Sequence, residues 1–183
     1  MPSALRWLLD RLVRLIRAAT SALETSYPHG VADWQSEVSR QLARYHAAAI
    51  LAGADVNALT KPMTVAITKD LAAQLRWLDK FGLEIQNGAE WQAGWNSRAE
   101  SYANSIKIPY NRGVTKMLPL PAMPAQGTGC YGNCGCSWEI VELEGDGNVD
   151  AYWRRSKDDS CQVCKQREQD WSPVKIREGV LQV

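Results

Sequence analysis

The residues best placed to do chemistry are five cysteines. The stretch GCYGNCGCSW at positions 129–138 carries three thiols within seven positions, and SCQVCKQ at 160–166 adds two more. Cys130, Cys134, Cys136, Cys161 and Cys164 are the only cysteines of the chain, and all lie in its last 54 residues. Their order is C-x3-C-x-C, then 24 intervening residues, then C-x2-C. Two close-spaced thiol groups separated by a hairpin-length insert form the pattern of a structural zinc site. A turn aims two thiolates at one ion and the hairpin brings the two groups together. Tetrahedral zinc takes four ligands, so one of the five is spare. Cys161 and Cys164 have the common knuckle spacing, and Cys130 pairs with Cys134 or with Cys136; spacing alone does not choose. A module of about 55 residues has little core, and modules below about 70 residues usually need a metal or disulfide staple. Zinc binding would then be part of the module's folding free energy. The competing readings are disulfides, unconnected thiols and a redox C-x2-C. The last normally opens a helix after a strand in a βαβ unit, a context not evident here.

Other catalytic constellations are sparse. His29 and His46 are the only imidazoles and lie far in sequence from the cysteines. A catalytic zinc keeps one position open for water and usually employs His or a carboxylate, whereas an all-Cys site is closed. Glu139, Glu142 and Glu144 follow the first cluster and read as the solvated edge of a strand. No nucleophile elbow, P-loop, zincin, dinucleotide or deaminase motif occurs, so the expectation is a protein that is not an enzyme. Trp153, Arg154, Arg155, Lys157, Lys165 and Arg167 bracket the second cluster in the manner of a nucleic-acid-binding zinc module, which is the rival reading. Asp158, Asp159, Glu168 and Asp170 are interleaved with them and bring the local charge near zero, which weakens it.

The whole chain supports the same picture. With 21 Lys and Arg against 20 Asp and Glu, its net charge of +1 provides no global field toward nucleic acid or membrane. Apolar residues at 45% and charged ones at 22% are globular values. Eight Trp and six Tyr stand against one Phe, a bias that suits either half-wet contact surfaces or a Trp-rich core. No apolar run reaches transmembrane length, and Arg11, Arg14 and Arg17 interrupt the apolar N-terminal segment, so neither membrane insertion nor a signal peptide is expected.

The elements that must carry the cysteines follow from periodicity. Leu5, Leu8, Leu9, Leu12, Leu15, Ile16 and Ala19 recur at helical spacing and predict a basic amphipathic helix, fit to pack on its own core, dock on a partner or lie on a membrane surface. Pro28 and Gly30 break it, and Asp33 is the candidate cap of a second helix ending near Gly53. A third helical stretch starts at Thr60 or Lys61 before Pro62 and stops at Gly82. A further helix runs from about Ala89 to Ile108, with Trp91, Trp95, Ala99, Tyr102 and Ile106 on one face and Pro109 as terminator. Prolines 119, 121 and 124 then mark an extended connector. CSWEIVELEG and VDAYWRR, joined by the turn GDGN, read as a hairpin between the two cysteine clusters. The predicted fold class is mainly α with a small zinc-stapled C-terminal α+β module. The predicted organisation is a helical domain over 1–118, a Pro/Gly linker over 119–129 and a cysteine-rich zinc-binding module over 130–183.

Residues 98–179 carry a resemblance. RAESYANSIKIPYNRGVTKMLPLPAMPAQGTGCYGNCGCSWEI, followed by YWRRSKDDSCQVCKQREQDWSPVKIREG, resembles the C-terminal part of tailed-phage minor head, or head-morphogenesis, proteins. The shared features are the LPLPAMP linker, the N-C-x-C-x-W string at Asn133, Cys134, Cys136 and Trp138, and the string Trp153, Cys161, Cys164, Trp171 and Pro173. The order departs from the Mu F-like motif, in which C-x2-C precedes H-x2-C-x-C; here the N-C-x-C element comes first and the His has no counterpart. The resemblance implies a structural assembly protein in a few copies per particle, contacting the portal or the major capsid protein. It places the protein in the virion head, and in the host cytoplasm during assembly. Contact with packaged DNA and homo-oligomer formation stay open, and no catalysis is implied. In that setting the basic N-terminal helix and the Trp-rich helical face are the expected contact surfaces.

Overall fold

The computed structural model describes residues 3–124, 126, 135–156 and 161–182, and the protein is mainly helical with one small antiparallel sheet. Helix α1 (Ser3–Ser26) buries Leu5, Leu8, Leu9, Leu12, Ile16 and Leu23 along one stripe. Its apolar face is therefore occupied by the protein's own core rather than free for a partner or a bilayer, while Arg6, Arg11, Arg14 and Arg17 lie on the exposed side. Helix α2 (Val31–Ala54) is central and packs against α1, α3 (Lys61–Gln86) and α5 (Lys107–Val114).

Several boundaries differ from expectation for physical reasons. Gly30, at φ 89°, precedes α2, and the Trp34 amide already donates to the Gly30 carbonyl at 2.9 Å. Asp33 thus lies inside the first turn, where its charge faces the positive helix end, and does not cap it. The helix runs past Gly53 to Ala54, with Asp55 in the left-handed conformation as C-cap. The start of α3 is as expected: the Thr60 hydroxyl accepts from the Met63 amide, and Pro62 sits in the first turn, where its missing N–H costs nothing. The helix continues through Gly82 to Gln86 because Ile85 extends the buried stripe of Leu78 and Phe81. Gly82 itself is in contact with the Gln35 side chain.

The next helix begins at Gly94, not Ala89, and Pro109 does not end it. α4 (Gly94–Ser101) tightens into a 3-10 segment (Tyr102–Ile106), and the chain re-enters α-helix in α5 with Pro109 in its first turn. The tighter winding places Pro109 where the change of hydrogen-bonding pattern spares its missing N–H. Trp95, Ala99, Tyr102 and Ile106 are buried, and Trp91 packs against the same core, so this face is internal and not a contact surface. Trp91 and Trp95 meet edge to face at 5.2 Å and Tyr27 joins them. The indole of Trp34 donates to Thr20 Oγ1 at 3.0 Å, and the Thr20 hydroxyl donates to the Ile16 carbonyl at 2.8 Å.

The crossing of α2 and α5 is backbone on backbone. A Cβ at Gly53 would stand 2.1 Å from the Tyr110 carbonyl oxygen, and one at Gly113 would stand 2.4 Å from the Ile50 carbonyl oxygen. Beside it, Arg112 of α5 holds Asp70 of α3 through two bonds of 2.7 and 3.0 Å, with only 4% of the Asp70 side chain exposed. A pair this buried is costly to break from one side, because the remaining charge has no water.

From α5 the chain enters the second core. The proline-rich stretch does not run free as a spacer: Leu120, Ala122 and Met123 are buried, and the Trp138 indole donates to the Ala122 carbonyl at 2.8 Å. The sheet is a meander in the order β1 (Ser137–Glu142), β2 (Val149–Arg154), β3 (Val174–Arg177) and β4 (Val180–Leu181). The β1–β2 hairpin pairs Trp138 with Trp153 and Glu142 with Val149. The short helix α6 (Gln162–Asp170) lies between β2 and β3 in sequence and packs on β2. Two strands and α6 thus extend the expected hairpin.

Two predictions follow from the helical core. Gly53→Ala and Gly113→Ala should each cost about 2–3 kcal/mol in urea unfolding, because the obstructing atoms are backbone; a cost below about 0.5 kcal/mol would mean that the helices can separate freely. His46 is fully buried with Nε2 2.8 Å from Ser105 Oγ, and burial holds its pKa down at about 4. The unfolded chain takes up this proton near 6.5, so stability should fall by up to about 3 kcal/mol as pH drops from 6.5 to 4. His46→Gln should flatten that part of the stability profile, and an unchanged profile in the variant would refute the assignment.

Candidate metal centre

The Cys161–Cys164 knuckle is built by the start of α6. Cys161 is the N-cap residue in extended conformation (φ −62°, ψ 159°), and its carbonyl accepts from the amides of Cys164 and Lys165 at 2.9 and 3.1 Å. This turn brings the two sulfurs within 3.5 Å of each other. Two thiolates on one tetrahedral zinc, each about 2.3 Å from the ion, stand about 3.8 Å apart, so the pair matches one edge of such a site. The aligned amide dipoles at the start of α6 also favour negative charge there. Each of the two cysteines engages in a further interaction as well.

Cys164 is fully buried, and Cys161 is half-buried against the second apolar core. Cys136 precedes β1 and is buried in that same core. Cys130 and Cys134 lie outside the described residues. Among the described residues no three His, Cys, Asp or Glu side chains converge as a metal-binding group. The donor chemistry of the knuckle fits zinc, and the remaining ligands of the expected set are to be sought among the other three cysteines.

The wall behind the knuckle is aromatic. Trp138 and Trp153 meet edge to face at 5.1 Å, Trp138 stacks with Trp171 at 6.2 Å, and the Arg167 guanidinium lies over both Trp153 (5.3 Å) and Trp171 (4.9 Å). The three indoles and one cation form a single packed unit across β1, β2, α6 and the approach to β3. In the sequence these tryptophans stand in separate strings, and Trp153 and Arg167 figure in the rival nucleic-acid reading. What it missed is that period-2 alternation in β2 puts Trp153 on the buried side with Val149 and Ala151. Arg154 is paired with Glu139 at 2.5 Å and Arg155 with Glu168. Arg154 and Arg155 are exposed but each is matched by a carboxylate, Lys165 is exposed, Trp153 is buried, and Lys157 lies outside the described residues.

Of the acidic string following the first cysteine group, Glu144 lies past the end of β1, in the turn toward β2. Glu139 and Glu142 lie on the edge strand β1, and Lys116 donates to Glu142 at 2.9 Å, holding its carboxyl below the usual range. This exposed pair borders a cleft of about 770 Å³ between the end of α5 and the hairpin, floored by Leu118, Ile140 and Val149. Of the imidazoles, His46 is sealed in the helical core and His29 is exposed at the α1–α2 turn, so neither joins the cysteines. The largest exposed aromatics are elsewhere: Trp7 on α1 and Trp77 on α3, each more than half exposed and each with a cation, Arg11 or Lys80, over its ring. No described helix is long and apolar enough to cross a membrane. No protein-family model, no curated protein and no solved structure matches this chain.

Proposed function

We propose that the protein is a structural, non-catalytic assembly component whose C-terminal module is stapled by one thiolate-bound zinc, and that it serves as a minor head protein of a tailed phage at the portal or the capsid interior. The observation that carries the metal reading is the Cys161–Cys164 pair, with sulfurs 3.5 Å apart at the start of α6 and a tryptophan core behind it. The module's core is small and shares Ile108, Leu120 and Met123 with the segment leading into it, and a zinc–thiolate centre would add folding free energy to it. The head-assembly reading rests on the order of the LPLPAMP, N-C-x-C-x-W and W…C-x2-C…W-x-P strings. Exposed Trp7, Val65, Trp77 and Leu83 on the helical body provide apolar surface on which portal or capsid subunits could dock.

Elemental analysis of the purified chain should find one zinc per chain. Chelation should alter the fluorescence of Trp138, Trp153 and Trp171 while far-ultraviolet circular dichroism keeps most of its helical signal, because α1–α5 have a separate core. Absence of bound metal, or a chelator that changes neither signal, overturns the zinc reading. For the assembly reading, the protein should co-sediment with particles and co-purify with portal or capsid protein, and both should weaken when Cys161 and Cys164 are replaced by alanine. A protein found only outside particles overturns it.

A further inference from the structure

We propose that the chain self-associates head to tail, with the outer face of α3 on one copy docking against the acidic end of the sheet on a second copy. The net charge of +1 conceals a division between the two parts of the chain. Residues 1–124 carry 14 Lys and Arg against 10 Asp and Glu, whereas residues 125–183 carry 7 against 10. The two parts are therefore of opposite sign on one molecule.

Each excess has an exposed focus. On α3, Lys61, Lys69, Arg76 and Lys80 share one arc of the helix with Val65 and Leu83, and all six are exposed. None of the four cations is in an ion pair among the described residues. Lys61 and Lys69 border a recess of about 450 Å³ whose apolar lining is Pro62, Val65 and Ala66. At the sheet, the β1–β2 and β3–β4 turns are tied together. The Gly179 amide donates to the Gly147 carbonyl at 3.0 Å, and the Glu178 amide donates to Asn148 Oδ1 at 2.9 Å. This gathers Glu142, Glu144, Asp146 and Glu178 at one end of the sheet, all exposed. Among the described residues only Glu142 of these four is ion-paired, with Lys116. Exposed Leu143 stands between Glu142 and Glu144 in the chain. An apolar side chain flanked by carboxylates is the complement of an apolar recess flanked by lysines.

The complement of the α3 face is thus carried by the chain itself. Contacts of like with like would set cations against cations, or carboxylates against carboxylates. Because the two patches differ, the contact is heterologous and repeats into a ring or an open filament. The assignment is independent of the zinc and head-assembly readings; it gives α3 to a second copy and leaves Trp7 on α1 for other subunits.

Sedimentation velocity of the full-length chain tests this, at low and at high salt. It compares the wild type with the double variants Lys69→Glu, Arg76→Glu and Glu144→Lys, Asp146→Lys, all at exposed positions. Circular dichroism checks that each variant is folded, and the single substitutions Lys69→Glu and Asp146→Lys replace a pair that is not. At low salt the wild type should sediment faster than a monomer in a concentration-dependent way, and high salt should shift it toward the monomer by screening exposed charges. Each variant alone should associate at least about tenfold more weakly. An equimolar mixture of the two should regain association, because the native sheet end of one meets the native α3 of the other. A wild type that stays monomeric at low salt overturns the proposal, as does a mixture that stays monomeric. Weakening in the α3 variant alone also overturns it, in favour of a symmetric contact. A monomeric wild type that binds a DNA duplex, with binding lost in the α3 variant, assigns that face to a polyanion instead.

Discussion

The architecture depends on one close approach, the crossing of α2 and α5 at Gly53 and Gly113. Each glycine lies where a single added carbon would run into the other helix's backbone. α2 is the central helix, with α1 and α3 against it, and α5 delivers the chain to the second core through Ile108 and the residues that follow. The spacing between these two helices therefore sets where the proline-rich stretch begins and how the sheet meets the helical body. The Arg112–Asp70 pair lies alongside and ties α3 to the same α5. Its value is conditional: both charges gain from being paired in a poorly hydrated place, and neither gains from being there alone.

The second core shows how a small sheet is held together when its own strands are short. Trp138 anchors the incoming Leu120–Met123 stretch through the Ala122 carbonyl, so the helical body's exit segment becomes one wall of the module. Trp153 and Trp171 complete the aromatic unit, and Arg167 covers it from α6. A large flat cation over two indoles combines packing area with cation–π attraction, at the end of the module that holds the cysteine knuckle. In the proposed metal-bound form, the ion would add to this packing from the opposite direction. The staple would fix the position of α6, and the indoles give it a surface to rest on.

The functional surface is divided between two regions. The thiol knuckle and its aromatic support lie at the second core, with Cys164, Trp138 and Trp153 buried and Cys161 and Trp171 half-buried. The two exposed tryptophans, Trp7 and Trp77, are on the outside of α1 and α3, each with a cation over its ring. In the proposed assembly role, the cysteine module would keep the C-terminal part folded, and contacts with other subunits would come from the helical body's outer faces rather than from the buried Trp91–Trp95 face.

The sequence by itself determined what depends on neighbours a few residues away. The apolar stripe of α1, the Thr60–Pro62 start of α3, the hairpin around GDGN and the confinement of all five cysteines to the C-terminal part were legible because helix periodicity, capping and turn chemistry are local. Tertiary structure decided which face meets which. Pro109 is tolerated because a 3-10 segment re-phases the chain before it, and Gly82 sits within a helix because the stripe beyond it remains buried. Trp91, Trp95 and Trp153 turn inward because other elements lie over them, and Cys136 sits in the core because β-alternation next to Trp138 sends it there. No local pattern reports these outcomes: an apolar or aromatic side chain carries the same propensity whether its cover is solvent, a partner or the far end of its own chain, and only the folded contacts distinguish the three.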